Sequence, residues 1–434
     1  MLPKITHEDT RTKTLGETKI KSPIHLHQGF QPHREVLYNP FVEEGTIASD
    51  ISFKASAPSK MIYFDPKKVR AAIVTCGGIC PGLNDVIRSI VLRLWHGYGV
   101  RKIIGVQFGF QGFIAKYGLD FVDLNPEVVS KIHELGGTML GSSRGEQPIE
   151  DIVDSMERQS INQLYVIGGD GSLRATQAIS KEVTDRGLKI TVVGIPKTID
   201  NDIAFVSRSF GFETAVDAAT EAIRCAHSEA TSFPNGIGLV KLMGRHSGFI
   251  AATAALAQRD VNIVLIPEVD FDLEGDHGLF KNLEERLKTR GHAVIVVAEG
   301  AGQEHVLAET NASDASGNVK LKDIGVFIRD QISEHFKKQN LEVNIKYIDP
   351  SYMVRSVPAN TNDGLYCATL GQNAVHASMA GKTELLVSMW HGVYCILPIH
   401  LAISQRKTII PDEGLWLNVL ESTGQPSFKP LCDL

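Results

Sequence analysis

Val166-Ile-Gly-Gly-Asp-Gly-Ser172 and, further along, Ile195-Pro-Lys-Thr-Ile-Asp-Asn-Asp202 decide how this chain is read. Each segment opens on an apolar run that reads as a buried parallel strand. Each then breaks into a small or acidic turn, the place where such strands present ligands. A glycine cradle paired with a carboxylate-bearing loop suits phosphoryl transfer, which needs a cradle for phosphates, a metal-holding acid and a positioned base.

Outward from these turns the chain alternates. Arg70–Thr75 reads as a first buried strand, Cys76-Gly-Gly-Ile-Cys-Pro-Gly-Leu-Asn84 as a turn, and Asp85–Trp95 as a helix. Further strands are expected at Lys102–Val106, Gln163–Ile167, Ile190–Ile195, Gly238–Leu242, Asn262–Ile266 and Ala293–Ala298, several followed by Gly and a helical stretch. Such alternation predicts an α/β fold: parallel sheets with right-handed crossovers, helices on both faces and an active site in the crevice between two domains. Residues 1–68 are polar and irregular and read as an arm that wraps the body or a neighbouring subunit. His25, His27 and His33 lack the partner spacing of a metal site. The polar stretch 304–322 reads as a loop or insertion.

A chain of 434 residues with 43% hydrophobic and 22% charged residues is expected to fold as a globular protein of two or three domains. No apolar run reaches the length that spans a bilayer. The net charge of -6, without a Lys/Arg block, argues against nucleic acid as a partner. The six cysteines, Cys76, Cys80, Cys225, Cys367, Cys395 and Cys432, have no metal-site spacing and read as free thiols of a reducing cytoplasm.

The turn Gly77–Gly82 serves either an anion at a helix N-terminus or a plain tight turn. In Gly137-Thr-Met-Leu-Gly-Ser-Ser-Arg144-Gly145 a guanidinium stands among small residues, which fits phosphate contact better than an ordinary surface ion pair. In Gly168–Ser172 the glycines let a phosphate chain lie against the backbone, and Asp170 can hold magnesium. Gly171 is the telling position, because a side chain there would take space beside the phosphates. In Pro196–Asp202, Asp200 can accept a proton from an alcohol, Thr198 can bond the substrate, Asp202 can assist metal or sugar, and Lys197 can neutralise developing charge. Lys241-Leu-Met243-Gly244-Arg245, Val297-Ala-Glu299-Gly300 and Tyr352-Met-Val-Arg355 add an acid and two arginines at strand ends. Together these suit a phosphorylated sugar; each alone also fits a structural ion pair.

Taken in order, Gly77–Asn84, Gly168–Ser172, Lys197–Asp202, Met243–Arg245 and the segment ending in Arg355 resemble the 6-phosphofructokinase family, from about Val69 to about Ile410. The resemblance implies two Rossmann-like three-layer domains: residues 69–211 with 363–413 for ATP, and 212–362 for sugar phosphate. Residues 1–68 would then be an arm and 414–434 a tail. It implies a glycolytic, magnesium-dependent kinase that transfers the γ-phosphoryl group of ATP to the 1-hydroxyl of fructose 6-phosphate. It further implies a cytoplasmic, allosteric homo-oligomer, a dimer or tetramer, whose neighbouring subunit completes the sugar site. Asp200 matches the family's base, with Lys197, Thr198 and Arg245 beside the reaction. Asp170 matches its metal acid, and Gly78, Arg144, Gly145, Gly169, Asp170, Gly171 and Ser172 match nucleotide-phosphate positions. Thr198, Ile199, Asp200, Asp202, Met243, Gly244, Arg245, Glu299, Tyr352 and Arg355 match the sugar-phosphate site.

Gly171 and Lys197 bear on the donor. The pyrophosphate-dependent branch shares Lys at 197 but carries Asp where this chain has Gly171, so the pair resembles the ATP-dependent members of the pyrophosphate-like subgroup in trypanosomes and plants. Two positions depart from the short bacterial members: Gly236 stands where they supply an Arg to a neighbouring subunit, and Leu92 follows Arg88 where they have a second effector-site Arg. The alternatives are a pyrophosphate-dependent enzyme and a silent regulatory subunit, though the latter is expected to lack Asp170 or Asp200. A dinucleotide oxidoreductase is excluded by the absence of G-x-G-x-x-G in the glycine turn.

Overall fold

The computed structural model describes residues 4–24, 34–39, 50–306 and 321–428. His25, His27 and His33 lie outside these residues, as does most of the 304–322 stretch. Two compact units emerge, residues 1–198 with 203–211 and 356–406, and residues 199–202 with 212–355 and 407–434.

In chain order the first unit begins β1 (Arg70–Thr75), α1 (Leu83–Leu92), β2 (Lys102–Val106), β3 (Phe121–Asp123), α2 (Ile149–Arg158), β4 (Gln163–Gly168), α3 (Asp170–Asp185) and β5 (Thr191–Pro196). The chain then forms the second unit: α4 (Phe212–Ser232), β6 (Gly236–Leu242), α5 (Phe249–Gln258), β7 (Ile263–Leu265), α6 (Leu279–Arg290), β8 (His292–Ala298), α7 (Ile324–Lys338) and β9 (Asn344–Ile348). It returns to the first unit as α8 (Thr361–Met379), β10 (Leu385–Trp390) and β11 (Val393–Pro398), and ends in the second with α9 (Gly414–Thr423).

The first unit holds a seven-stranded sheet in the order β11-β10-β5-β4-β1-β2-β3. Its five central strands run parallel and the two edge strands antiparallel. Every residue of β4 and β5 is buried. That is why these strands read as unbroken apolar runs and not as alternation. Ile152, Val153 and Met156 of α2 and Ile179 and Val183 of α3 pack with Ala72, Val74, Leu164, Val166 and Val192 on one face, while α1 and α8 pack together and α8 meets β5. The second unit is a four-stranded parallel sheet, β7-β8-β6-β9. Helices α6 and α7 join Ile237, Leu239, Ile295 and Val297 in its core, and α4 and α5 also pack on its strands.

The predicted strands at 102–106, 163–167, 190–195, 238–242, 262–266 and 293–298 are found within two residues at either end. The first helix starts two residues early and stops at Leu92, continuing as a π-helical turn over Arg93–Tyr98. The described parts of the arm pack on the first unit. Lys13–Thr14 pairs with Lys382–Thr383, and Tyr38 and Phe53 close an aromatic cluster with Phe205 and Trp390.

The chain changes unit at 198/199, 202/203, 211/212, 355/356 and 406/407, against expected changes at 211/212, 362/363 and 413/414. Residue 356 already belongs to the first unit, where its carbonyl lies so close to Gly136 that a Cβ there would sit 1.8 Å from it. Residues 414–423 form α9, packed against α5, where a tail was expected. Cys76, Cys80, Cys225, Cys367 and Cys395 are free thiols. No helix among the described residues is long and apolar enough to cross a membrane.

Candidate active site

In the first unit three loops leave the carboxyl ends of β1, β4 and β5 and are tied to one another and to the 137–145 loop. Gly77 N–H donates to the Ser143 carbonyl at 3.1 Å, and Ser142 Oγ donates to the Gly77 carbonyl at 2.6 Å. Thr75 Oγ1 donates to the Gly141 carbonyl at 2.7 Å, which anchors the loop bearing Arg144 and Gly145. Lys197 N–H donates to the Gly168 carbonyl at 3.0 Å, and Lys197 Nζ reaches the Gly78 carbonyl at 2.6 Å. The structure therefore brings Gly78, Gly169–Ser172 and Lys197 together with the 141–145 loop, with Arg144 and Gly145 exposed.

Helices α1 and α3 start from Gly82 and Gly169, neither of which supplies a side-chain cap. Uncapped first-turn amides suit an anion. Asp170 opens α3 and lies 3.3 Å from Arg174 and 3.6 Å from Arg406. The glycines of the motif differ in purpose. A Cβ on Gly168 would strike the Ser172 Cβ at 2.3 Å, so packing alone demands glycine there. A Cβ on Gly171 would meet none of the described residues within 4 Å, and its φ is not in the left-handed region. The fold alone does not require glycine at 171.

In the second unit Asp200, Asn201 and Asp202 form a short acidic loop. Asn201 and Asp202 are buried, and Asn201 adopts a left-handed φ of 56°. Ser247 Oγ donates to the Asp200 carbonyl at 3.1 Å. Thr198 and Ile199 precede this loop: Thr198 belongs to the first unit, where its carbonyl accepts from Ser209 Oγ at 2.6 Å, and Ile199 is buried. Met243, Gly244 and Arg245 follow β6. Gly244 has φ 133°, and a Cβ on it would lie 2.5 Å from the Ser247 carbonyl. Gly300 N–H donates to the Gly244 carbonyl at 3.1 Å, pressing the ends of β6 and β8 together and placing Glu299 near Arg245.

Burial raises the Glu299 carboxyl above its ordinary range, and the attraction of Arg245, Lys241 and Arg355 opposes the rise. Arg355 lies over the exposed Tyr352 ring at 4.9 Å, and its buried Nε has no hydrogen-bond partner among the described residues. An orphaned guanidinium N–H beside a cluster of cations suits an incoming anion.

Sequence reasoning gave no role to Lys241, although a lone cation in the apolar strand Gly236–Leu242 was a usable signal. Its ammonium bridges Asp323 at 2.9 Å and Asp349 at 2.8 Å. Burial alone would lower its pKa, but the hydrogen bonds to the two carboxylates outweigh that and hold it above the ordinary lysine value. Ser247, Glu268 and Lys407 were also missed, and no local pattern marks them. Gly236 is explained by packing, because a Cβ there would lie 2.0 Å from the Ala230 carbonyl. Arg88 and Leu92 instead line a separate cavity of about 610 Å³ in the first unit with Asp85, His96 and His133.

Two units built on wholly or mainly parallel sheets, with glycine-bearing and charged loops at the carboxyl ends of their strands, define an α/β protein of the three-layer class. The chain belongs to the phosphofructokinase family, whose model, described as phosphofructokinase, matches residues 70–378. It is 49% identical over 433 residues to the ATP-dependent 6-phosphofructokinase of Borreliella burgdorferi, covering 96% of this chain and 97% of that protein. It is likewise 49% identical to ATP-dependent 6-phosphofructokinase 7 of Arabidopsis thaliana (87% of this chain and 78% of that protein). The ATP-dependent 6-phosphofructokinase of Trypanosoma cruzi is 42% identical (97% and 89%). Among solved structures, the pyrophosphate-dependent phosphofructokinase of Marinobacter aquaeolei superposes with a TM-score of 0.68 at 18% identity, covering 84% of this chain and 94% of that one. At that identity it establishes the fold alone.

Proposed function

We propose that this protein transfers the γ-phosphoryl group of ATP to the 1-hydroxyl of fructose 6-phosphate, giving fructose 1,6-bisphosphate and ADP. The observation that carries the reading is the open space at Gly171. None of the described residues fills it, so a nucleotide triphosphate can pass along the backbone where a side chain would stand in its way. The full-length likeness to relatives named ATP-dependent 6-phosphofructokinase supports the same donor.

The loops of the first unit bind the nucleotide phosphates through backbone amides at the starts of α1 and α3, with Arg144 as a side-chain contact. Those of the second unit bind the sugar phosphate: Arg245 and Arg355 take the phosphate, and Met243, Gly244, Tyr352 and Glu299 shape the site around the hydroxyls. Asp200 orients the 1-hydroxyl and receives its proton, while Thr198, Ile199 and Asp202 hold the substrate. A carboxylate is a weak base at pH 7, yet such help is worth about 10² to 10⁴ in rate. Lys197 neutralises charge gathering on the transferred group.

Magnesium suits Asp170. No group of three or more His, Cys, Asp or Glu among the described residues could hold a metal unaided. A single carboxylate completed by substrate phosphates is the usual setting for this ion. It would supply charge neutralisation for the nucleotide phosphates. We place the enzyme in the cytoplasm, whose reducing conditions suit its free cysteines, and as a homo-oligomer, because Tyr352 and Met353 are 75% and 71% exposed beside Arg355, as a subunit contact over the sugar site would have them.

An assay coupling ADP or phosphate formation to a dye, run with ATP and with pyrophosphate against fructose 6-phosphate and sedoheptulose 7-phosphate, tests the proposal. Turnover is expected with ATP, magnesium and fructose 6-phosphate. Turnover with pyrophosphate alone would overturn the donor, and ligand binding without turnover would overturn the catalytic role.

A further inference from the structure

The loop bearing Asp200 and Asp202 is held from behind by residues remote in sequence. Lys407, the first residue of the segment re-entering the second unit, donates its N–H to the Asp202 carbonyl at 2.9 Å. Its ammonium donates to Asn201 Oδ1, also at 2.9 Å, and lies 5.2 Å from the centre of the Phe249 ring. The other side of the loop is held by Ser247 through the Asp200 carbonyl at 3.1 Å. Glu268 links the two clamps. Both its carboxylate oxygens accept from Gly248 N–H at 3.0 Å, and Oε1 accepts from Ile409 N–H at 2.9 Å.

The gripped residue has an unusual backbone. Asn201 sits at a left-handed φ of 56° between the two aspartates, a conformation that turns successive side chains sharply and persists when its surroundings fix it. A change in this one residue would swing both carboxylates at once.

We propose that Lys407 is a positioning residue for the phosphoryl-transfer reaction, holding the Asn201 side chain and the Asp202 carbonyl so that Asp200 faces the sugar hydroxyl, with Glu268 locking the Lys407 segment to the Ser247 clamp. The proposal rests on the reading of Asp200 as the group that receives the hydroxyl proton. Lys407 touches no reacting atom in this scheme. Its effect passes through the geometry of the loop, where displacements on the order of 1 Å cost about 100-fold in rate.

The test is a cycle of two substitutions in the full-length enzyme. Asn201→Gly removes the side-chain acceptor and keeps a residue that accepts positive φ; Lys407→Met removes the ammonium and keeps an unbranched apolar side chain. Each is expected to lower kcat about 10-fold or more, with KM for fructose 6-phosphate and ATP within about twofold. The double variant is expected to be no slower than the slower single one, because both remove the same contact. Lys407→Arg is expected to recover part of the rate. Multiplying losses, or an Asn201→Gly enzyme with wild-type kcat, would overturn the proposal; should Lys407→Met fail to fold, Asn201→Gly decides alone. A wild-type enzyme inactive on fructose 6-phosphate and ATP would overturn the functional reading itself and the proposal with it.

Discussion

The ammonium of Lys197 donates to the carbonyl of Gly78 at 2.6 Å, joining the loop after β5 to the loop after β1 across the intervening β4. Lys197 is only 7% exposed, so this cation is built into the unit and not a surface charge. In the proposed reaction this buried lysine, held at the meeting point of two glycine loops, stabilises charge on the phosphoryl group. We expect Lys197→Met to lower kcat by about 10² to 10³ with a smaller change in either KM. Steady-state kinetics on a variant shown by circular dichroism to be folded would check this. A kcat within threefold of wild type would reduce Lys197 to a tether between loops.

Gly171 makes a sharper prediction because the structure separates its role from those of its neighbours. The same substitution that clashes with Ser172 at position 168 meets open space at 171. Gly171→Asp should therefore leave thermal stability within about 0.5 kcal/mol of wild type, as for an ordinary surface change. It should nevertheless raise the ATP KM by about 10-fold or more, since a carboxylate both occupies and repels the phosphate path. Gly168→Ala should do the reverse and destabilise by about 1 to 3 kcal/mol through overpacking. Melting temperature and ATP KM measured on both variants would check the pair; equal effects of the two substitutions on stability would remove the distinction.

How much of this was legible in the sequence follows from which interactions are local. Strands β1, β2, β4, β5, β6 and β8 were readable because a parallel strand covered on both faces must be apolar throughout. β9 was not read, since each of its residues in Asn344–Ile348 is only half-buried and Lys346 interrupts the run. β10 and β11 were not read either, although the two-residue turn His391-Gly392 that joins them, with φ of 46° and 76°, is a hairpin signal in the sequence. Motif glycines were legible as a group, but their different purposes were not, because Ser172, Lys197 and Ala230 reach them through folding. The grip of Lys407 on Asn201 spans 206 residues, and no periodicity encodes it.

Asp200 is tested best by a substitution that preserves shape. Ser247 holds the Asp200 backbone carbonyl and not its carboxylate, so Asp200→Asn should leave that clamp intact and change only the ability to take a proton. We expect kcat to fall by about 10² to 10⁴ while the fructose 6-phosphate KM changes little. A near-normal kcat would remove Asp200 from the base role and leave orientation of the hydroxyl to its neighbours.

The packing of α1 against α8 carries a titratable group whose effect on stability has a definite sign. His376 on α8 is buried, and its Nδ1 lies 2.8 Å from the hydroxyl of Tyr98. Burial, helped by repulsion from Arg93, pushes its pKa down to about 3. The unfolded chain binds a proton there near pH 6.5 while the folded one does not, so this contribution is fully present above about pH 6.5 and is lost progressively as pH falls. At pH 5 the loss amounts to about 2 kcal/mol per chain. Asp85 on α1 acts oppositely. Burial lifts its pKa to about 6, against the attraction of His133 and Arg88, so its penalty is present above that pH and relieved toward pH 4. His376→Asn should therefore flatten the fall in urea midpoint between pH 7.5 and pH 5, whereas Asp85→Asn should raise stability at pH 7.5 more than at pH 5. Denaturation of both variants at the two pH values would check the signs, and a wild-type acid slope unchanged in His376→Asn would show that this imidazole is not the group that titrates on unfolding.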